Sequence, residues 1–239
     1  MTSYTVTGTA TNNTFGGGLL QVEVLTGATL AGTPATVTAS AAYNGSITTT
    51  QTGSYVLGAL SNLVASTSFT ASAGCTIINQ ASINAGGAQA GAFRTTSGTG
   101  GSPGPTTVGS STTFAGTYGM VAVEIIPSGT IAFDASTPAV VSSATLTSFT
   151  TASFTPPAGS LLVAILVTTG NFSSTACVAT VSSSPGLIWS EQVHFTGDES
   201  GTDAYIGVWT APVPAAGTIT PPSWAQKVAV VPFTADVLM

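Results

Sequence analysis

The sequence GSYVLGAL, Gly53 to Leu60, returns as GSLLVAIL at Gly159 to Leu166. Neighbouring segments return in the same order, TPATVTASA (Thr33 to Ala41) as TPAVVSSAT (Thr137 to Thr145) and QAGAFRT (Gln89 to Thr95) as YIGVWTA (Tyr205 to Ala211). A repeat of about one hundred residues has the length of a domain rather than of a solenoid unit. The sequence therefore predicts two similar domains, residues 1–129 and 130–239, with a strand break at Pro127 to Gly129 between them.

The chain reads as all-β. Short runs of Thr, Val, Ile and aromatic residues lie between Gly, Pro, Asn and Ser, without helical periodicity. About 110 residues with seven or eight short strands fits a β-sandwich, so we expect two tandem, jelly-roll-like sandwiches related by the internal repeat. Leu161 to Val167 is apolar on both faces, which predicts a central strand or one covered by another sheet or subunit.

A third copy of one repeated segment lies near the N-terminus. LLQVEVLTG at Leu19 to Gly27 matches VAVEIIPSG at Val121 to Gly129, with Glu23 and Glu124 at the same place. Two domains therefore have three closing strands. We expect the extra strand to add an edge to the sheet of the first domain or of a neighbouring subunit.

Clean alternation in this extra strand predicts which side chains face inward. Leu20, Val22 and Val24 would lie inward, whereas Gln21 and Glu23 would face solvent. Because the strand is expected to pair at an edge, its three apolar residues are also candidate interaction residues.

Charge is scarce in this chain. Two basic residues, Arg94 and Lys227, stand against eight acidic ones, giving a formal net charge of -6 and only 4% charged residues. Binding to a phosphate backbone requires clustered cations, so we do not expect nucleic acid as a partner. A surface made mainly of hydroxyls is poorly protected against association, which favours a homo-oligomer.

The longest apolar run, Leu161 to Val167, is too short to span a bilayer, and the first residues lack the pattern of a signal peptide.

Groups that could perform catalysis or bind metal are few. His194 is the only histidine, and strand alternation would place it and Glu191 on opposite faces, so we expect no enzyme. Asp198, Glu199 and Asp203 could chelate Ca²⁺, but a solvated hairpin loop is the favoured interpretation, and no cofactor is expected.

The aromatic residues have two interpretations. Trp189, Trp209 and Trp224 could form a platform for carbohydrate, but large apolar residues recur at these places in both repeats, which favours core packing. The tyrosines that we expect at exposed contacts are Tyr4, Tyr43 and Tyr118. Cys75 and Cys177 do not match between the repeats and are interpreted as small buried thiols, with one bridge between domains as the alternative.

Together, QVEVLTGA, PPAGSLLVAIL, GLIWSE, GVWTAPVP and VAVVPFTA resemble β-sandwich repeats of tailed-phage virion proteins, especially minor tail proteins of phages that infect actinobacteria. The resemblance implies a structural or adhesive role outside the cell, in a virion made in the host cytoplasm and released by lysis. Its partners would be other virion proteins. The alternatives are a capsid decoration or head-fibre protein, and an adhesin module that binds a host-surface glycan through loops such as Ser97 to Gly109.

Overall fold

The computed structural model describes residues 2–11, 16–29, 35–37, 44–62, 68–83, 88–96, 103–112, 118–170, 178–199 and 202–215. These residues form strands and no helix, which confirms the all-β class. The strands are β1 (Thr5–Thr11), β2 (Gly17–Thr29), β3 (Ala35–Val37), β4 (Asn44–Thr48), β5 (Tyr55–Asn62), β6 (Cys75–Ser82), β7 (Gln89–Thr95), β8 (Pro105–Gly109), β9 (Tyr118–Phe133), β10 (Val141–Ser143), β11 (Ser148–Thr150), β12 (Leu161–Gly170), β13 (Val178–Ser184), β14 (Ser190–Glu199) and β15 (Thr202–Pro212). The jelly-roll topology stays a prediction.

One ten-stranded antiparallel sheet organises the molecule. Its main path is β14-β15-β12-β2-β9-β5-β7-β6, while β10 pairs with β2 and β3 pairs with β9. We call β14, β15, β12 and β2 the β2 half, and β6, β7, β5 and β9 the β9 half. The repeated segments occupy equal places in the two halves, because β5 corresponds to β12 and β7 to β15. The sequence repeat therefore has a counterpart in the order of strand pairing.

The extra N-terminal strand lies inside the sheet, so the prediction of an added edge is wrong. Strand β2 pairs with β12 from Leu161↔Leu25 to Thr169↔Gly17, and its other side pairs with β10 and β9. It takes the place in the β2 half that β9 takes in the β9 half. The physical reason is that β2 can hydrogen-bond to the backbone N–H and C=O groups of β12 as well as a strand that follows β12 in the sequence could.

Three apolar cores give the fold its layers. The central core packs the two halves of the sheet face to face, with Leu57 and Val123 on one side and Val163 and Ile206 on the other. A three-stranded sheet, β11-β1-β13, covers the outer face of the β2 half, and the β4-β8 pair covers the β9 half. This arrangement is sandwich-like, as sheets packed through their inner faces require.

Strand β12 confirms the prediction made from its apolar pattern. It lies between β15 and β2, and Leu161, Val163, Ile165 and Val167 face the central core. Its other face, with Leu162, Ala164 and Leu166, packs beneath the three-stranded sheet. Both faces are therefore buried between layers, as a continuous apolar run requires.

A glycine allows the two halves to approach closely. A Cβ atom at Gly119 of β9 would lie 2.1 Å from the ring of Phe195 of β14, so only glycine leaves room for that ring. Contacts between β14 and β9 therefore depend on a missing side chain.

The predicted strand break at Pro127 to Gly129 is wrong. Strand β9 continues from Tyr118 to Phe133, with a shift in its pairing to β2 between Thr26 and Ala28. A bulge accommodates the irregular sequence without ending the strand. The division into domains 1–129 and 130–239 stays a prediction, and the hydrogen-bonded sheet continues across Gly129.

Candidate interaction surface

The three-stranded sheet β11-β1-β13 forms a surface layer with a clear inside and outside. Alternation in β1 turns Val6 and Ala10 toward the core, where Phe149 of β11 and Ala179 of β13 join them. Every second residue along each strand points the opposite way.

The outer side of this sheet consists of hydroxyl side chains except for Val178 at the start of β13, and we call it the hydroxyl face. It comprises Thr5, Thr7, Thr9 and Thr11 of β1, Ser148 and Thr150 of β11, and Thr180, Ser182 and Ser184 of β13. Thr7 Oγ1 lies 2.9 Å from Thr150 Oγ1, and Thr9 Oγ1 lies 3.1 Å from Ser148 Oγ. These cross-strand hydrogen bonds order the hydroxyl rows without using any charge.

Among the described strands, β13 forms an edge of the three-stranded sheet that lacks the features which usually prevent pairing with other chains. Its seven residues, VATVSSS, contain no charge and no proline, and their pairing with β1 has no bulge. By contrast, β14 and β6, the two ends of the large sheet, both have irregular pairing, at Glu191/Val193 and at Ile77/Asn79. Bulges, charges and prolines are the features that keep sheet edges from pairing with other chains. Strand β13 is therefore the candidate interaction edge.

The candidate interaction residues of β2 are core residues. Leu20, Val22 and Val24 are fully buried beneath the three-stranded sheet, which confirms their predicted inward direction. A contact with another subunit would require β2 to leave the sheet. The predicted exposure of Tyr4 is wrong, because its side chain is 6% exposed and its backbone exchanges hydrogen bonds with Phe154.

The other predicted contact and metal residues fall partly or wholly outside the described parts. Tyr43 is not among the described residues, and Tyr118 begins β9, paired with Asn62, with its side chain undescribed. In the predicted acidic hairpin, Asp198 pairs with Asp203 and Glu199 with Thr202 along β14 and β15. Their side chains are also undescribed, so Ca²⁺ binding there stays a prediction.

The predicted glycan-binding loop is only partly a loop in the structure. Of the loop at Ser97 to Gly109, Pro105–Gly109 forms strand β8 rather than a loop, and 97–102 lie outside the described residues.

Cys75 is a buried thiol, as predicted, and burial raises its pKa. Cys177 is outside the described residues.

The tryptophans follow the core interpretation where they are described. Trp209 is 4% exposed and belongs to the core beneath the three-stranded sheet. Trp189 is partly buried against the same core, and its indole N–H donates to Ser183 Oγ at 3.3 Å. Trp224 is outside the described residues.

Glu191 and His194 lie on the same face of β14, which contradicts the prediction from simple alternation. A bulge between Glu191 and Val193 inserts one residue, so His194 Nδ1 reaches the carboxylate of Glu191. The imidazole also stacks on Tyr205, with ring centroids 5.5 Å apart. The histidine side chain is 53% exposed, as expected for a surface strand.

Because this contact between His194 and Glu191 is exposed, we expect it to contribute little to stability. The His194→Ala and Glu191→Ala variants should each change the free energy of unfolding by less than about 1 kcal/mol. Urea denaturation of both variants and of the wild type at one pH tests this. A loss above that value in either variant would contradict it.

A buried carboxylate, Glu23, lies where the two halves of the sheet meet. The alternation of β2 predicts that Glu23 faces solvent, which is wrong: Glu23 is 3% exposed, and Gln21 is equally buried. Both share the face of β2 that turns toward the β9 half. Alternation separates two faces of a strand but does not tell what covers each one.

Partners from both halves surround Glu23. Gln21 Nε2 donates to Glu23 Oε1 at 2.9 Å, and Arg94 Nη1 of β7 lies 3.8 Å from Glu23 Oε2. The Arg94 guanidinium also lies 3.8 Å from the ring centre of Phe133, which packs edge to face with Tyr55. Burial raises the pKa of Glu23 to about 7, although Arg94 and Gln21 each lower it.

The pKa of Glu124, at the corresponding place on β9, is shifted in the opposite direction from that of Glu23. The Glu124 carboxylate accepts hydrogen bonds from the Thr50 amide at 2.7 Å, from the Thr50 hydroxyl at 3.0 Å and from the Gln51 amide at 3.3 Å. Burial by itself raises its pKa, but the hydrogen bonds that the carboxylate accepts outweigh burial and lower it. Two carboxylates at matching repeat positions therefore differ because only one has backbone donors.

The class of this protein can be described only by its fold and its surface. In the described part of the chain, no helix is long and apolar enough to cross a membrane. No protein family, no curated protein and no solved structure matches this chain. In its described residues, the structure defines an all-β, sandwich-like protein with a hydroxyl face and with β13 as an edge strand that lacks charge, proline and bulge.

Proposed function

We propose that this chain is a non-enzymatic structural protein of a tailed-phage virion, associated with the tail, which functions by packing against other protein subunits. The virion part of the proposal rests on the sequence resemblance. The assembly part rests on one structural observation, the uncharged and unbulged edge of β13. Such an edge presents backbone donors and acceptors to another chain.

The surface around this edge also suits packing against protein. The hydroxyl face is continuous across β11, β1 and β13 and contains no charged residue. Bringing it against another surface therefore does not require the removal of water from a charged group, which is the most expensive kind of desolvation. Hydroxyls can exchange hydrogen bonds with water for hydrogen bonds with a partner.

Electron microscopy of purified particles labelled with an antibody against this chain tests the proposal. Label at the tail supports the tail-associated function, and a regular pattern over the head would indicate capsid decoration or a head fibre instead. Particles without label would overturn the virion assignment. Binding of the isolated chain to host cells, tested in parallel, would favour the glycan-binding alternative.

A further inference from the structure

The backbone groups that β13 presents at its edge can be deduced from the hydrogen bonds of β1. In β1, the Ala10 N–H donates to Thr147 and the Val6 carbonyl accepts from Thr151, so even-numbered residues direct their backbone toward β11. Odd-numbered residues of β1 then face β13. Thr7 pairs with Ser182 and Thr9 with Thr180, which directs the even-numbered backbone groups of β13 inward to β1.

The odd-numbered residues of β13 therefore point their backbone away from β1. These are Ala179, Val181 and Ser183, each with one N–H and one carbonyl at the edge. No described strand pairs with this side of β13.

We propose that β13 pairs antiparallel with β13 of a second copy of this chain, around a two-fold axis at Val181. In this register Val181 lies opposite its own counterpart, and Ala179 lies opposite Ser183. Three N–H groups from each of two strands then form six hydrogen bonds, with all outward groups satisfied. The pairing joins two three-stranded sheets into one and keeps both hydroxyl faces on the same side. This inference rests on the proposed function, in which the chain packs against other subunits of an assembly.

Exposed apolar residues at both ends of β13 favour a second copy as the partner. Val178 at the start of the strand is 53% exposed, and Ile188, four residues beyond its end, is 88% exposed. Leu146 is the other large hydrophobic residue that is exposed among the described parts. Antiparallel self-pairing brings the Val178 end of each copy to the Ile188 end of the other. In this register Val178 lies opposite Ser184 of the other copy, so an exposed apolar residue from each copy lies toward each end of the pairing.

Charge also permits self-pairing. The whole segment from Val178 to Ile188 contains no charged residue, so two copies meet without repulsion. This edge has no charged side chain to which a strongly charged partner could bind. The contact is small, so we expect a weak dimer, with a dissociation constant of about 10 to 100 µM, that repetition in an assembly would reinforce.

A charge exchange at two exposed positions tests both the partner and the register. Thr180 lies opposite Ser182 of the second copy as a pair without hydrogen bonds, in which side chains come closest. In the Thr180→Lys, Ser182→Lys variant, lysine meets lysine twice, and we expect self-association about 10-fold weaker than in the wild type. In the Thr180→Lys, Ser182→Glu variant, lysine meets glutamate twice, and self-association should be kept.

The control has the same two lysines on the opposite edge of the same sheet, as Ser148→Lys, Thr150→Lys. Analytical ultracentrifugation of the four full-length chains over a concentration series gives the dissociation constants. Thermal melts verify that each variant is folded. A monomeric wild type up to about 500 µM would overturn the proposal. So would equal association of all four chains, or loss of association in the Lys and Glu variant.

Hydrogen exchange of the wild type gives a second readout. The Thr180 and Ser182 amides bond to β1, so we expect protection at every concentration. The Val181 amide should be protected only where the dimer is populated. Protection of Val181 in the dilute monomer would show that another part of the same chain covers the edge, which overturns the proposal.

Failure of this inference is distinguishable from failure of the proposed function. Labelled particles together with a monomeric chain would overturn only the self-pairing of β13. Unlabelled particles together with a dimer that responds to the charge exchange would overturn only the virion assignment.

Discussion

Replacing Trp209 by alanine is expected to lower the free energy of unfolding by about 3 to 5 kcal/mol. The indole is 4% exposed in the core between the β2 half and the three-stranded sheet. It stacks on Tyr205 with ring centroids 5.9 Å apart. Removing it leaves a cavity that the strands on both sides cannot fill, because their backbones are fixed by sheet hydrogen bonding.

Urea denaturation at constant pH measures this loss. Trp189→Ala is the matched control, because Trp189 borders the same core but is only partly buried, and it should cost clearly less. A loss below about 1 kcal/mol at Trp209 would contradict the core assignment and restore the surface-platform interpretation.

Gly207 provides a second check on the position of this ring. A Cβ atom there would lie 2.5 Å from the Trp209 ring, so Gly207→Ala should destabilise the wild type. In the Trp209→Ala background the same substitution should cost less, because the nearer of two rings is gone, while the Tyr205 ring at 2.8 Å still opposes the new Cβ atom. The difference is the coupling energy of a double-mutant cycle. Equal costs in the two backgrounds would show that the ring lies elsewhere.

Stability is expected to fall by about 3 kcal/mol as the pH rises from 4.5 to 7, because of Glu23. Burial raises the folded-state pKa of Glu23 from 4.5 to about 7. Between these values the folded chain keeps a proton that the unfolded chain has lost, so folding becomes less favourable with increasing pH. Below pH 4.5 both states are protonated and above pH 7 both are ionised, so this dependence ends at both limits.

Urea denaturation from pH 4 to pH 9 tests the contribution of Glu23. The Glu23→Gln variant should lose the decrease between pH 4.5 and 7. An unchanged decrease in that variant would assign the pH dependence to another group.

Glu124→Gln is the matched control, since Glu124 occupies the corresponding position on β9. Hydrogen bonds lower the folded-state pKa of Glu124, so its contribution is present above the unfolded value of 4.5 and is lost as the pH falls. Its substitution should therefore leave the interval from pH 4.5 to 7 unchanged while altering the acid limb.

Local patterns predicted some elements well. Strand β12 could be placed from its sequence because a run that is apolar on both faces has few stable positions outside the middle of a layered sheet. Trp209 could be assigned to a core because a large apolar residue recurs at Phe93 in the other repeat, and Phe93 is fully buried. Both inferences use properties that a strand has wherever it lies.

Other features depended on contacts between distant parts of the chain. Glu23 looked like a solvent-facing residue because the alternation of β2 is regular, but the second face of β2 is covered by the β9 half. His194 was expected opposite Glu191 because a period of two assumes an unbroken strand, and a single bulge changes the face of every residue beyond it. Neither the covering layer nor the bulge has a signature in the local sequence.

The sequence by itself determined the all-β class, the internal repeat of strand segments and the inward direction of Leu20, Val22 and Val24. These follow from propensity and from a period of two, which are local properties of the chain. Only the tertiary structure decided that β2 closes the β2 half, that Glu23 is buried beside Arg94 and that β13 lies at an edge among the described strands. Those outcomes depend on which distant strand satisfies each row of backbone donors and acceptors, and similar strands such as β2 and β9 compete for equivalent places.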